Sequence, residues 1–250
     1  MQYNGKVVIV TGSSSGIGRG TALYFGSQGA KVVLASRNTA ANANLKEEIE
    51  RTGGTAMFVQ TDVSKVEDVK RLIDTVIDTY GIIDIAINNA GYEGTPGVKT
   101  VDFKIDEWHK VLDVNLNSVY YCMKFEIEEM LKSGGGNIVN ISSLAGIRPG
   151  GAGIAYHAAK YGVVGISQTA ALEYAAENIR INVICPAVIE TPMADRAFNT
   201  AERRRNAIEM HPIGKLGTVA EVVHAINYLT SNESTFTTGI ALPIDGGASL

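Results

Sequence analysis

Tyr156 and Lys160 stand four residues apart in Tyr156-His157-Ala158-Ala159-Lys160, so a helix over this segment presents both on one face. A phenol with an ordinary pKa near 10 needs help to exchange a proton close to neutrality. A neighbouring ammonium supplies that help by stabilising the phenolate, so Lys160 is expected to lower the Tyr156 pKa. Ser143 lies 13 residues earlier, at the end of an apolar run, Ile138–Ile141, that reads as a strand. Its hydroxyl suits holding a substrate oxygen while the proton moves. A second constellation, Thr11-Gly12-Ser13-Ser14-Ser15-Gly16-Ile17-Gly18, joins a strand-like segment to a helical pattern. Glycines there let the backbone approach a pyrophosphate, and the helix N-terminus adds free N–H groups. The residues ending the next strand then face the adenosine ribose. A carboxylate at that point suits a 2′-hydroxyl and a basic residue suits a 2′-phosphate. Ser36 and Arg37 occupy it, with no carboxylate beside them, which favours NADP(H) and leaves NAD(H) as the alternative. Asp62 and Val63 follow the third strand, where Asp62 either accepts from the adenine amino group or caps the next helix.

These residues need a scaffold, and the hydrophobic pattern describes one. Short β-branched runs read as buried strands at Lys6–Val10, Lys31–Ala35, Ala56–Gln60, Ile83–Asn88, Asn137–Ser142, Arg180–Cys185 and Ile240–Ile244. Helical periodicity separates them, clearest over Val66–Tyr80, with further helices starting near Ile17, Ala40, Glu107, Tyr156 and Val219. Alternation of this kind over 250 residues predicts one α/β domain, a doubly wound Rossmann fold with seven parallel strands flanked by helices. The formal charge of −4 argues against nucleic acid and anionic membranes as partners. No apolar run approaches the ~20 residues that cross a bilayer, and no signal peptide is visible, so a cytoplasmic protein is expected. Cys122 and Cys185 read as small buried hydrophobes, and His109, His157, His211 and His224 lack the spacing of metal ligands.

Taken together, the motifs resemble those of the short-chain dehydrogenase/reductases, and the resemblance spans essentially the whole chain. Thr11–Gly18 matches the family's T-G-x-x-x-G-x-G turn, Asn88-Asn89-Ala90-Gly91 its N-N-A-G segment, and Asn115, Ser143, Tyr156 and Lys160 its catalytic tetrad. The resemblance implies that Tyr156 exchanges the proton, Ser143 orients the reacting oxygen, Lys160 holds the nicotinamide ribose, and Asn115 links Lys160 to solvent through water. It implies dinucleotide contacts from Gly12, Ser14, Ser15, Gly16, Ile17, Gly18, Ser36, Arg37, Asp62, Val63, Asn89, Ala90, Gly91, Tyr156 and Lys160. Pro186, Ile189, Thr191 and Met193, in a segment like the family's P-G-x-x-x-T, would add contacts to the nicotinamide end. Ala187 stands where the family usually has Gly, so the entry to that loop is expected to be shifted.

The implied reaction is hydride transfer between a small apolar ketone and a secondary alcohol. An NAD-linked alcohol or sugar dehydrogenase is the second reading, and a dinucleotide-binding protein without turnover the third. Residues 193–210 would form a lid. Glu93, Ser143, Leu144, Ile154, Tyr156, Val188 and Met193 would meet the substrate, with Ile147, Phe198 and Met210 adding to an apolar pocket. Arg203-Arg204-Arg205 reads as a solvated helix face. Glu126, Glu128, Glu129 and Glu173 would repel an acidic acyl carrier protein, which argues against a fatty-acid reductase. Family members mostly form homotetramers, here through the Glu107–Lys132 and Tyr156–Ala176 helices and the last strand.

Overall fold

Valines and isoleucines fill the central strands because both faces of the sheet are covered. In the computed structural model, which describes residues 1–250, seven strands form one parallel sheet. They are β1 (Val7–Thr11), β2 (Lys31–Ser36), β3 (Thr55–Gln60), β4 (Ile85–Asn88), β5 (Gly136–Ile141), β6 (Ile179–Pro186) and β7 (Ala241–Ile244). Their spatial order is β3-β2-β1-β4-β5-β6-β7. The chain therefore winds outward from β1 in one direction and from β4 in the other, and the crevice at that switch point is where such sheets bind ligands.

Alternate side chains of a strand serve opposite layers. Val7 and Ile9 point to the layer of α3 (Val66–Tyr80), α5 (Ser118–Ser133) and α6 (Ile154–Tyr174), where they meet Leu72, Met123, Ile127 and Val163. Val8 and Val10 point to the layer of α1 (Gly16–Ser27), α2 (Thr39–Arg51) and α9 (Val219–Thr230), against Phe25, Leu45, Ile49 and Ile226. Local chemistry sets the helix ends. Thr218 and Glu221 cap each other's backbone at the start of α9, and Gly81, left-handed at φ 74°, ends α3. Both cysteines are buried and free.

Strands other than β4 shift by a single residue at one or both ends relative to the sequence reading, and two elements differ more. β4 begins at Ile85 rather than Ile83, because the Asp84 carboxylate turns back to accept from Val7 N at 2.8 Å and Lys6 Nζ at 2.7 Å. The helix expected from Glu107 onward is three pieces: α4 (Ile105–Leu112), a π-helical turn over Asp113–Asn117, and α5. That wider turn carries Asn115, and such turns recur at functional sites. The segment expected as a lid holds two short helices, α7 (Pro192–Ala197) and α8 (Ala201–Glu209), capped by Thr191 and Thr200.

Candidate active site

A cleft of about 1230 Å³ opens along the C-terminal ends of the strands. Its floor is the turn between β1 and α1. Gly12 (φ 65°) needs its left-handed backbone and close approach, since a Cβ there would lie 2.8 Å from Ala90 Cα. The opposite wall is bolted to it. Thr11 Oγ1 accepts from Asn89 N (3.0 Å) and Ala90 N (3.2 Å), while Asn89 Nδ2 donates to Thr11 O (3.0 Å). Ser15 precedes α1 with an extended backbone and makes no side-chain cap bond, so the first turn of α1 presents its amides to the cleft. This cradle fits a pyrophosphate. Gly12, Ser14, Ser15, Gly16 and Ile17 line it; Gly18 lies beneath, packed against the Gly12 carbonyl.

Ser36, Arg37, Asp62 and Val63 line the far end. Ser36 Oγ accepts from Asn42 Nδ2 (2.5 Å) and Asn38 N (3.2 Å), which leaves its own hydrogen free to donate. Arg37 is exposed beside it. Asp62 Oδ1 accepts from Ser64 N (3.2 Å) and Ser64 Oγ (2.7 Å), capping a turn ahead of α3 rather than the helix itself, whose N-cap is Lys65.

At the other end, β5 delivers Ser142 and Ser143. Ser142 Oγ is tied to the Lys160 carbonyl at 2.8 Å, whereas Ser143 caps a short 3-10 turn and meets the Tyr156 phenol. Tyr156 and Lys160 project from the same face of α6, and Lys160 Nζ lies 5.6 Å from the Tyr156 ring centre. Lys160, only 3% exposed, donates to Ile141 O at 2.9 Å and keeps two further N–H groups. Burial dominates both titrations. It pushes the Tyr156 phenol up to about 12, the Ser143 contact pulling the other way, and pushes the Lys160 ammonium down to about 8. The lowered Tyr156 pKa expected from its neighbour is thus not found: burial sets the direction, and the opposing pull comes from Ser143 rather than from the ammonium.

Asn115, Ile154 and Ala187 sit differently from the other expected residues. Asn115 is fully buried and does not line the cleft. Its Oδ1 accepts from Tyr92 N (3.0 Å) and its Nδ2 donates to Tyr92 O and Val111 O (2.9 Å each), so the side chain fixes the loop after β4. Ile154 opens α6 just after Gly153 (φ 92°), points outward at 38% exposure and does not reach the cleft; Ile147 packs against the core. Ala187 has no positive φ and extends the β6–β7 ladder, donating to Ile244 O at 3.1 Å, so its missing glycine shifts nothing.

The remaining expected residues converge. Asn89, Ala90, Gly91, Pro186, Ile189, Thr191, Glu93, Leu144, Val188, Met193, Phe198 and Met210 all line the cleft. Arg203 of the basic run does as well, while Arg204 pairs with Glu190 and Asp195. Arg148, His157 and Arg196 also line it and were not anticipated; none of them carries a spacing that marks it. Glu126 is no surface charge. It is fully buried on α5, accepting at Oε2 from Asn88 Nδ2 (2.9 Å), and burial lifts its carboxyl to about 7. The acidic surface then rests on Glu128, Glu129 and Glu173. His, Cys, Asp and Glu form no cluster able to hold a metal ion, and no helix is long and apolar enough to cross a membrane.

A family model described as enoyl-(acyl carrier protein) reductase matches residues 12–249. Cyclohexanol dehydrogenase of Acinetobacter sp. (strain SE19) is 39% identical over 98% of this chain and 95% of its own length. The chain belongs to the short-chain dehydrogenase/reductase family. Another relative in this family, 3-oxoacyl-(acyl-carrier-protein) reductase FabG of Thermotoga maritima, is 36% identical over 99% of both chains. The crystal structure of levodione reductase superposes with a TM-score of 0.94 at 32% identity, covering 99% of this chain and 98% of that one. As a short-chain dehydrogenase/reductase, the protein is an oxidoreductase acting on CH–OH groups with NAD(P).

Proposed function

We propose that the protein interconverts small apolar ketones and secondary alcohols with NADP(H), using Ser143, Tyr156 and Lys160. The observation that carries this reading is their convergence at the apolar end of the cleft, beside Leu144, Val188, Met193 and Phe198. The bound dinucleotide supplies or accepts the hydride. Tyr156, whose phenol stays protonated at neutral pH, gives its proton to the substrate oxygen during reduction. Ser143 Oγ holds that oxygen in place. Lys160, anchored to Ile141 O, directs its two free N–H groups to the nicotinamide ribose. Asn115 acts one step back, holding the loop that brings Gly91 and Glu93 to the cleft. Helices α7 and α8 cover the substrate end as a lid.

The cofactor preference rests on the donor set at the end of β2. A free Ser36 hydroxyl and the Arg37 guanidinium suit a 2′-phosphate, and no carboxylate there competes for a 2′-hydroxyl. The test is NADPH and NADH consumption, side by side, with a prochiral aryl ketone and a cyclic diketone. Strong NADPH preference that Arg37→Ala reduces roughly 10- to 100-fold in NADP⁺ affinity is the expected result. An Arg37→Ala variant with unchanged NADP⁺ affinity overturns the assignment.

A homotetramer is supported by exposed apolar side chains on the helices expected to associate: Tyr120 and Leu131 on α5, Tyr161 and Leu172 on α6, together with Leu250 at the C-terminus.

A further inference from the structure

One charged pair crosses the mouth of the cleft. Glu93 follows β4, Arg196 sits on α7, and Arg196 Nε donates to Glu93 Oε1 at 2.6 Å. The two ends of this pair are not equivalent. Both residues line the cleft, but the Glu93 side chain is 24% exposed and the Arg196 side chain 60%, so the carboxylate is the more shielded end and the guanidinium the more solvated. Fields of solvated charges are screened and those of part-buried charges much less so. The carboxylate is therefore the less screened end of the pair.

The position of Glu93 is prepared in advance. Asn115 holds both the backbone N–H and the carbonyl of Tyr92, and the Tyr92 hydroxyl donates to Glu107 Oε1 at 2.8 Å. Burial alone would raise the Glu93 carboxyl, but the Arg196 hydrogen bond and a backbone N–H outweigh it and hold it below the usual carboxylate range. It is charged throughout the working pH range. It is also close enough to Tyr156 to raise that phenol further. The other titratable or charged side chains lining the cleft are Arg37 and Asp62 at its far end, Lys160 and His157 on α6, Arg148 after β5 and Arg203 on α8. Lys160 is anchored to Ile141 O and His157 to Gly153 O. Arg148, which donates to Ala248 O, and Arg203 both lie on the solvent rim.

We propose that Glu93, clamped by Arg196, is a specificity-determining residue that makes the cleft reject ketones carrying a carboxylate near the reacting carbonyl and accept neutral ones. The inference rests on the ketone-reducing reading above. A carboxylate brought beside Tyr156 meets a second carboxylate across a low-dielectric gap, and one such repulsion is worth about tenfold in kcat/KM.

The test compares ethyl acetoacetate with acetoacetate as matched probes, NADPH as reductant, at pH 7.5. Wild type prefers the ester. Glu93→Gln leaves Arg196 unpaired and narrows the ester-to-acid ratio of kcat/KM by about tenfold. Arg196→Gln leaves Glu93 unpaired and widens it. A purely structural clasp between the loop and α7 is broken equally by both substitutions, so it changes both substrates together and cannot move the ratio in opposite directions. A ratio that neither variant moves, or that both move the same way, overturns the inference while the ketone-reducing reading stands. Failure of wild type to reduce the ester, the acid, the aryl ketone and the diketone removes the ketone-reducing reading and this inference with it.

Discussion

Glu126 is the buried charge that the fold can least accommodate, and replacing it with Gln should stabilise the protein in a pH-dependent way. Asn88 Nδ2 donates to Glu126 Oε2 (2.9 Å) and to Asn140 Oδ1 (3.0 Å), and Asn140 Nδ2 donates to Ser167 Oγ (2.8 Å). Two buried atoms of this network have no partner, Asn88 Oδ1 and Glu126 Oε1. Both unpartnered atoms are acceptors, so a proton on Oε1 adds the donor this network lacks, and the neutral acid suits the site better than the carboxylate. Burial accordingly lifts the carboxyl from 4.5 to about 7. Below about pH 4.5 both folded and unfolded chains hold this proton and stability does not depend on it. Between about 4.5 and 7 the unfolded chain releases the proton while the folded one keeps it, and stability falls as pH rises. Above about 7 the full deficit is present, about 3 kcal/mol at roughly 1.4 kcal/mol per unit of pKa. The amide of the Glu126→Gln variant carries its own donor and never ionises. Urea unfolding of wild type and Glu126→Gln, at one protein concentration, should therefore give nearly equal stabilities at pH 4.5 and an advantage of about 3 kcal/mol to the variant at pH 8. In melting temperature that advantage is roughly 6 to 12 °C. A difference independent of pH, or a variant less stable than wild type at pH 8, would refute the argument.

The raised Tyr156 phenol makes a kinetic prediction of the same kind. Alcohol oxidation needs the phenolate, so its kcat/KM should climb about tenfold per pH unit from 7 to 10, while ketone reduction stays flat near neutrality; an oxidation profile already level at pH 7 contradicts it. The exposed apolar faces of α5 and α6 should associate, giving the mass of four chains by light scattering at micromolar concentration, and a monomer contradicts that.

Features built from local spacing were legible in the sequence. The glycine turn, the Tyr156–Lys160 face of α6 and the parallel β-branched strands all follow from residues within a turn or a strand of each other. What escaped depends on distant partners. Glu126 looks like one more charge on a mostly polar helix face until Asn88, 38 residues earlier, is seen beneath it. Nothing beside Asn115 in the sequence tells that Tyr92, 23 residues away, uses both ends of its amide. Ile154 fits an apolar pocket by composition, yet Gly153 turns the chain so that it faces solvent. Arg196 belongs to the site only because α7 folds back over the loop after β4.

The central claim is that Tyr156 transfers the proton to and from the substrate oxygen, and Tyr156→Phe tests it most directly. The ring is kept and the hydroxyl alone is lost. Steady-state NADPH consumption with a ketone that wild type reduces, measured beside NADPH affinity, should show turnover reduced to below a few per cent of wild type with cofactor binding nearly preserved. Turnover above that level in Tyr156→Phe, with the cofactor still bound, would contradict the account.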